Sequence, residues 1–157
     1  MGVSATWGER KGIDVFNKLA NDLPDEFEIF IVGVTSDLKS KIDARIHIIE
    51  RTNSTDELRR LYSIAGVFLN PTIQDNYPTV NLEAAACNTP VITYQTGGSP
   101  ESSFTPSCVI GQKDYEALKN MLLSRKFKGA LKLQNPYQIS REYMRERSSD
   151  VYIGNIK

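Results

Sequence analysis

Apolar and polar positions along this chain fall into two kinds of block. Residues 28–34, EIFIVGV, form an almost unbroken apolar run, the pattern of a parallel strand buried on both faces. Residues 3–6, 45–49, 67–70, 90–94 and the short pair 109–110 read as further strands, the first a remnant and the third stopped by Pro71. Between them the period lengthens to that of a helix. Residues 12–23 place Ile13, Phe16, Leu19, Ala20 and Leu23 on one face, with Pro24 beyond the end. Ser54-Thr55-Asp56-Glu57 has the spacing of a capping box and opens a helix carrying Leu58, Leu61, Tyr62 and Ala65. Residues 79–86, 114–123 and 140–153 also read as helices. Thr96-Gly97-Gly98-Ser99-Pro100 reads as a tight loop, and the basic stretch 125–132 as a solvated connection. Strand and helix in alternation predict an α/β fold, a parallel sheet covered by helices on both faces.

Composition sharpens this picture mainly by exclusion. A chain of 157 residues, 40% hydrophobic and 24% charged, suits one such domain with its own core. Nineteen basic residues balance nineteen acidic ones, so no broad field gathers nucleic acid or anionic lipid, and any anion site must be local. Cys87 and Cys108 lack metal or CxxC spacing and read as reduced buried thiols of a cytoplasmic protein. The single histidine, His47, falls inside a strand pattern and reads as structural. No apolar run approaches the roughly 20 residues of a membrane span, and the first residues lack the apolar core of a signal peptide. There is no acidic cluster that calls for a metal. The absence of GxGxxG and Walker A sequences argues against NAD enzymes and P-loop NTPases.

Open parallel sheets bind ligands beyond the C-terminal ends of their strands, so the loops after strands are where chemistry is sought. In the first, Trp7-Gly8-Glu9-Arg10-Lys11-Gly12, two adjacent cations can neutralise a phosphate, Arg10 as a fork and Lys11 as a point charge. The second, Asp75-Asn76-Tyr77-Pro78-Thr79-Val80-Asn81-Leu82-Glu83, runs from an acid in a loop into a helix. The free N–H groups of Thr79 and Val80 at the helix start, with the helix dipole behind them, suit an anion. Glu83 lies one turn on, and its side chain leans back toward that start. A carboxylate only accepts, so it suits the two donors of a ribose diol, while Asp75 remains for a second sugar. The third loop, Thr96-Gly97-Gly98-Ser99-Pro100-Glu101, has glycines that let backbone approach a ligand closely. Each of the three has a plain structural alternative: a solvated basic turn, two surface acids, a tight turn.

Taken in order, RKG at residues 10–12, IVG ending at Gly33, ELRRLYSIAGVFLNP at 57–71, DNYPTVNLEAAACNTPVI at 75–92 and TGGSPE at 96–101 resemble the family-4 glycosyltransferases, the large retaining group with the two-lobed GT-B fold. The resemblance runs from about residue 3 to residue 101 and weakens toward the C-terminus. It implies a Rossmann-like lobe, and it identifies the segment from Asp75 to Glu83 with the family's E-x7-E motif, with Asp75 standing for the first glutamate. By the same resemblance Glu83 binds the ribose hydroxyls and Asp75 faces the transferred sugar near the reacting carbon. Asn76, Tyr77, Thr79 and Val80 contact sugar and diphosphate, Lys11 holds the diphosphate, and Arg51 and Thr52 lie near the base. Asp75 and Lys11 are thus the candidate catalytic pair. Two positions depart from the family pattern: Asp75 is one methylene shorter than glutamate, and the arginine usual five positions before the lysine falls on Thr6, a charge that Arg10 would replace from another direction.

The expected activity is transfer of a glycosyl unit from a nucleotide diphosphate sugar, with UDP favoured, to an acceptor hydroxyl with retention. No further cofactor and no metal are implied. A bacterial surface polysaccharide or glycolipid is the implied acceptor, with peripheral membrane association of the parent protein compatible. Residues 1–157 are expected to be the C-terminal, donor-binding lobe, an excised piece of a longer protein whose N-terminal lobe supplies the acceptor site; alone it is expected to bind nucleotide and not to turn over. A non-catalytic nucleotide-binding or assembly module with the same lobe is the main alternative. A nucleotide-sugar epimerase on the same fold fits the motifs less well, and a receiver-like domain lacks its acids after the first strand.

Overall fold

The structure is a computed structural model that describes residues 1–132. The helix expected at 140–153 lies outside the described residues. Six short strands are present: β1 (Gly2–Val3), β2 (Ile29–Val32), β3 (Ile46–Ile49), β4 (Phe68–Asn70), β5 (Val91–Tyr94) and β6 (Val109–Ile110). All pair in parallel, β1-β2-β3 in one sheet and β4-β5-β6 in another. Met1 joins the two. Its ammonium donates to the Val67 carbonyl at 3.0 Å, and the Leu69 amide donates to the Met1 carbonyl at 2.8 Å. The strands therefore run in the spatial order β3-β2-β1-β4-β5-β6. That is the Rossmann arrangement, whose direction of winding reverses between β1 and β4.

Five helices connect the strands: α1 (Ile13–Asp22), α2 (Thr55–Ile64), α3 (Thr79–Ala86), α4 (Ser99–Ser103) and α5 (Tyr115–Leu123). Strand side chains alternate between two cores, as a pleat of period two requires. Leu69 and Ile92 join Trp7, Phe16, Leu19, Leu118 and Leu122 on the face of α1 and α5. Phe68 and Val91 join Tyr62 and Ala84 on the face of α2 and α3. Because both faces are covered, the strands read as continuous apolar runs. Gly2 has no side chain for a specific reason: a Cβ there would stand 2.4 Å from the Phe16 ring.

The helix starts follow the capping chemistry with one adjustment. Ser54 Oγ accepts from the Glu57 amide at 3.1 Å, but the return bond to Glu57 Oε2 comes from the Asn53 amide at 2.7 Å, one residue outside the box. Four expectations are corrected. Residues 96–100 do not form only a tight loop, because Ser99 opens the short helix α4 and Pro100, with its fixed φ, is suited to a first helical turn. Residues 125–132 are not merely a solvated connection, because Phe127 is buried in the α1/α5 core while Arg125 crosses to Glu26 at 2.7 Å. The first strand also sits earlier than residues 3–6: Ala5 and Thr6 are exposed. Cys87 is half-buried rather than buried; Cys108 is fully buried. His47 is exposed and stacks on Phe30 of the neighbouring strand, with centroids 4.5 Å apart.

Burial separates two aromatic truncations clearly. Phe16→Ala removes a ring that is 1% exposed beneath Gly2 and Trp7, and is expected to cost about 3–5 kcal/mol. His47→Ala removes only a cross-strand stack on the outer face and is expected to cost about 0.2–1 kcal/mol. Urea denaturation of both variants checks the ratio.

Candidate functional site

Three loops meet above the C-terminal ends of β1, β4 and β5. The loop after β1 is anchored by Trp7, whose Nε1 donates to the Val32 carbonyl at 2.9 Å and whose ring meets Phe16 edge-on at 5.3 Å. Residues 9–11 then form a single 3-10 turn closed by Gly12, which adopts the left-handed conformation at φ 75°. The turn abuts the loop after β4. The Ile73 amide donates to the Arg10 carbonyl at 3.0 Å, Thr72 Oγ1 donates to the same oxygen at 3.2 Å, and a Cβ on Gly12 would lie 2.6 Å from the Pro71 ring.

This junction sets the two cations. Arg10 Nη1 donates to the Gln74 carbonyl at 3.0 Å, so its guanidinium is turned along the loop. Lys11 Nζ reaches across to Asp75 Oδ2 at 2.5 Å, and the two side chains are only 18% and 17% exposed. The two residues read from the sequence as a catalytic pair are thus in direct contact, each neutralising the other.

On its other side the same loop is clamped by the loop after β5. Thr96 Oγ1 donates to the Ile73 carbonyl at 3.1 Å, and the Gly98 amide to the Asn76 carbonyl at 2.8 Å. A Cβ on Gly97, where φ is +47°, would lie 1.8 Å from the Asp75 carbonyl oxygen; one on Gly98 would lie 2.2 Å from that of Asn76. The close approach that these glycines permit here is to the backbone of a neighbouring loop.

Helix α3 begins at this clamp. Pro78 is its N-cap, an extended residue just before the first turn, and no side chain caps the start. Thr79 is exposed and Val80 half-buried, so the orphan N–H groups of the first turn open toward the rim. Asn76 is exposed and Tyr77 half-buried beside Gly98. The helix is fixed from beneath by Asn81, which is fully buried. Asn81 Oδ1 accepts from Asn70 Nδ2 at 2.9 Å; its Nδ2 donates to Ser102 Oγ at 3.0 Å and to the Ser99 carbonyl at 3.3 Å. One side chain thereby ties α3 to β4 and α4. Glu83, one turn along, is exposed, and its Oε2 accepts from the Tyr62 hydroxyl at 3.0 Å.

Arg51 and Thr52 follow β3 on the same rim of the sheet, Arg51 exposed and Thr52 half-buried, with β2 and β1 between them and the Lys11–Asp75 pair. The structure thus brings together Lys11, Arg10, Asp75, Asn76 and the start of α3, with Glu83 one turn further along α3. Asn81 and Tyr62 were not marked as site residues from the sequence. A buried asparagine in a helix opening on a ligand loop is the signal that could have found the first; nothing local marks the second. Among the described residues no group of three or more His, Cys, Asp or Glu could hold a metal ion, and no helix is long and apolar enough to cross a membrane.

Residues 2–124 match the family described as glycosyl transferases group 1, and the chain belongs to that family. It is 31% identical over 96 residues to the alpha-galactosylglucosyldiacylglycerol synthase of Streptococcus pneumoniae, a match covering 54% of this chain and 25% of that protein. Its fold is similar to sucrose-phosphate synthase from Thermosynechococcus elongatus, with TM-score 0.73, 19% identity, and coverage of 98% of this chain and 44% of that one. It is also similar to HepE from Anabaena solved with UDP-glucose, with TM-score 0.67, 13% identity, and coverage of 83% and 40%. The chain thus spans a quarter of the curated relative and under half of each structure. Its architecture is that of one lobe of a GT-B glycosyltransferase.

The glycine contacts predict a sharp contrast. Gly97→Ala places a methyl on the Asp75 carbonyl in a left-handed conformation, and is expected to cost at least about 1–2 kcal/mol from backbone strain alone and to shift the amide resonances of Asp75 and Asn76. Gly8→Ala, in extended backbone with no atom within 4 Å of the new methyl, is expected to stay within about 0.5 kcal/mol of the parent. Thermal melts and amide spectra of the two variants check this.

Proposed function

We propose that this member of the glycosyl transferases group 1 family is the C-terminal, donor-binding lobe of a family-4 retaining glycosyltransferase, and that it binds a nucleotide diphosphate sugar, with UDP as the favoured nucleotide. In the parent protein the glycosyl unit passes to an acceptor hydroxyl of a surface polysaccharide or glycolipid in the cytoplasm, with the acceptor held by a second lobe. The observation that carries this reading is the convergence of Lys11, Asp75 and the uncapped start of α3 over the β1/β4 switch point, with Glu83 one turn along the same helix. UDP-glucose in the Anabaena relative's structure and the glycolipid named by the pneumococcal relative support it.

The division of labour follows from chemistry. The amides at the start of α3 and the Lys11 ammonium are donors and suit the diphosphate. In the reaction they stabilise negative charge on the departing nucleotide, which is electrostatic stabilisation of a leaving group with no metal required. Glu83 is an acceptor and suits the ribose diol. Asp75, seated at the loop before α3, faces the transferred sugar, and Asn76 and Tyr77 flank it; Arg51 and Thr52 lie toward the base. Arg10, directed at the Gln74 carbonyl, would supply the phosphate region with the charge that Thr6 lacks.

The Lys11–Asp75 contact adds a condition. A diphosphate must take Lys11 from Asp75, so the carboxylate competes with the ligand. Calorimetry of the 157-residue chain with UDP and GDP tests the reading: UDP is expected to bind, and a folded chain that binds neither nucleotide at millimolar concentration overturns it. Lys11→Ala is expected to weaken UDP binding about tenfold or more, the loss of a charge-assisted bond. Asp75→Asn is expected to act with opposite signs on two readouts. UDP affinity rises severalfold because the competing anion is gone, while the melting temperature falls because Lys11 loses its partner. In the full-length parent, Asp75→Ala and Glu83→Ala are expected to abolish transfer with folding retained.

A further inference from the structure

Tyr62 lies in α2, away from the three loops, yet its hydroxyl reaches the site. The ring is 1% exposed, meets Phe68 edge-on at 5.4 Å, and its backbone carbonyl is gripped by Thr89 Oγ1 at 2.6 Å. The phenol is therefore a fixed donor. The phenol, protonated at neutral pH as any tyrosine is, is pushed further up by burial and then by the charge of Glu83. Its acceptor, Glu83 Oε2, belongs to an exposed side chain. An unanchored glutamate on a helix surface loses much rotamer freedom when it binds a ligand; one already held by a rigid neighbour loses less.

We propose that Tyr62 is a positioning residue for nucleotide recognition: by holding Glu83 Oε2 it presents Oε1 to a vicinal diol, and so makes the site select a ribonucleoside diphosphate over its dideoxy counterpart. The inference rests on the reading of Glu83 as the ribose acceptor. Each carboxylate oxygen has two acceptor positions, so the Tyr62 bond uses one and leaves enough for both hydroxyls of a ribose. Tyr62 itself touches no part of the ligand.

Calorimetry of the 157-residue chain with UDP and with 2′,3′-dideoxy-UDP separates the possibilities. In the unmodified chain UDP binds more tightly. Tyr62→Phe keeps the ring and its packing, and is expected to lower UDP affinity about tenfold while leaving dideoxy-UDP affinity unchanged, so the ratio between the two falls by the same factor. A ratio that Tyr62→Phe does not move, or an equal loss for both nucleotides, overturns the positioning role. An unmodified chain that binds both nucleotides equally overturns the ribose reading of Glu83, and the Tyr62 inference with it. If the variant does not fold, the unmodified chain still decides: UDP is expected to shift the Tyr62 ring resonances and dideoxy-UDP to leave them in place, and equal shifts with both overturn the inference.

Discussion

The seam between β1 and β4 is the constraint on which the rest of this lobe depends. From β1 the chain winds toward β2; from β4 it winds toward β5, in the opposite direction. The loops leaving these two strands meet over the seam at the C-terminal edge of the sheet, the place where folds of this kind bind ligands. The seam is closed below by the Met1 hydrogen bonds to Val67 and Leu69, and above by Ile73 to Arg10, by Gly12 against Pro71 and by Lys11 to Asp75. Lys11, Arg10, Asp75 and Asn76 are placed by these contacts and by the clamp of Gly97 and Gly98 beside them, while Asn81 fixes α3. Loosening the seam would move the cation, the acid and the helix start relative to one another, even with every strand intact.

Much of the architecture was legible because it is periodic. The apolar run at 28–34, the stripe from Ile13 to Leu23 and the Ser54 cap are local signals, and β2, α1 and the start of α2 lie within two residues of where those signals put them. The glycine pair at 97–98 was legible as a close approach but not as an approach to Asp75 and Asn76, because a sequence shows that a Cβ is missing and not what would strike it. The same limit explains Phe127: a lone aromatic in a basic stretch has no period, and only the α1/α5 core shows where it goes. Of the site itself, residue types and order could be read. The contact between Lys11 and Asp75, 64 positions apart, and that between Tyr62 and Glu83, 21 apart, belong to the tertiary fold.

Beneath the rim the lobe is unusually polar for a core, and that polarity has a role. Asn70, Thr72, Asn81, Thr93, Ser99, Ser102, Ser103 and Thr105 are all buried, most with hydrogen-bond partners. Apolar packing is tolerant of small shifts, whereas a buried asparagine that serves β4 and α4 at once admits only one placement of α3. The start of α3 must face the crevice within a fraction of an ångström if its amides are to hold an anion. A short helix with little amphipathic character gains that definition from Asn81 rather than from hydrophobic burial.

The same economy governs the charges. With nineteen residues of each sign, the protein cannot attract an anion by a general field, and at the candidate site Lys11 is already paired. Such a site favours ligands that replace several interactions together. A phosphate alone must displace Asp75 from Lys11 and gains only the helix amides in return. On the proposed reading, a diphosphate joined to a ribose and a sugar would offer Glu83 its donors and Asp75 a new partner as it took the lysine, so the cost of breaking the ion pair would be offset at the moment it was incurred. On that reading affinity would depend on the intact donor more than on any one of its groups, and the Lys11–Asp75 pair keeps the lysine matched to a carboxylate in its absence.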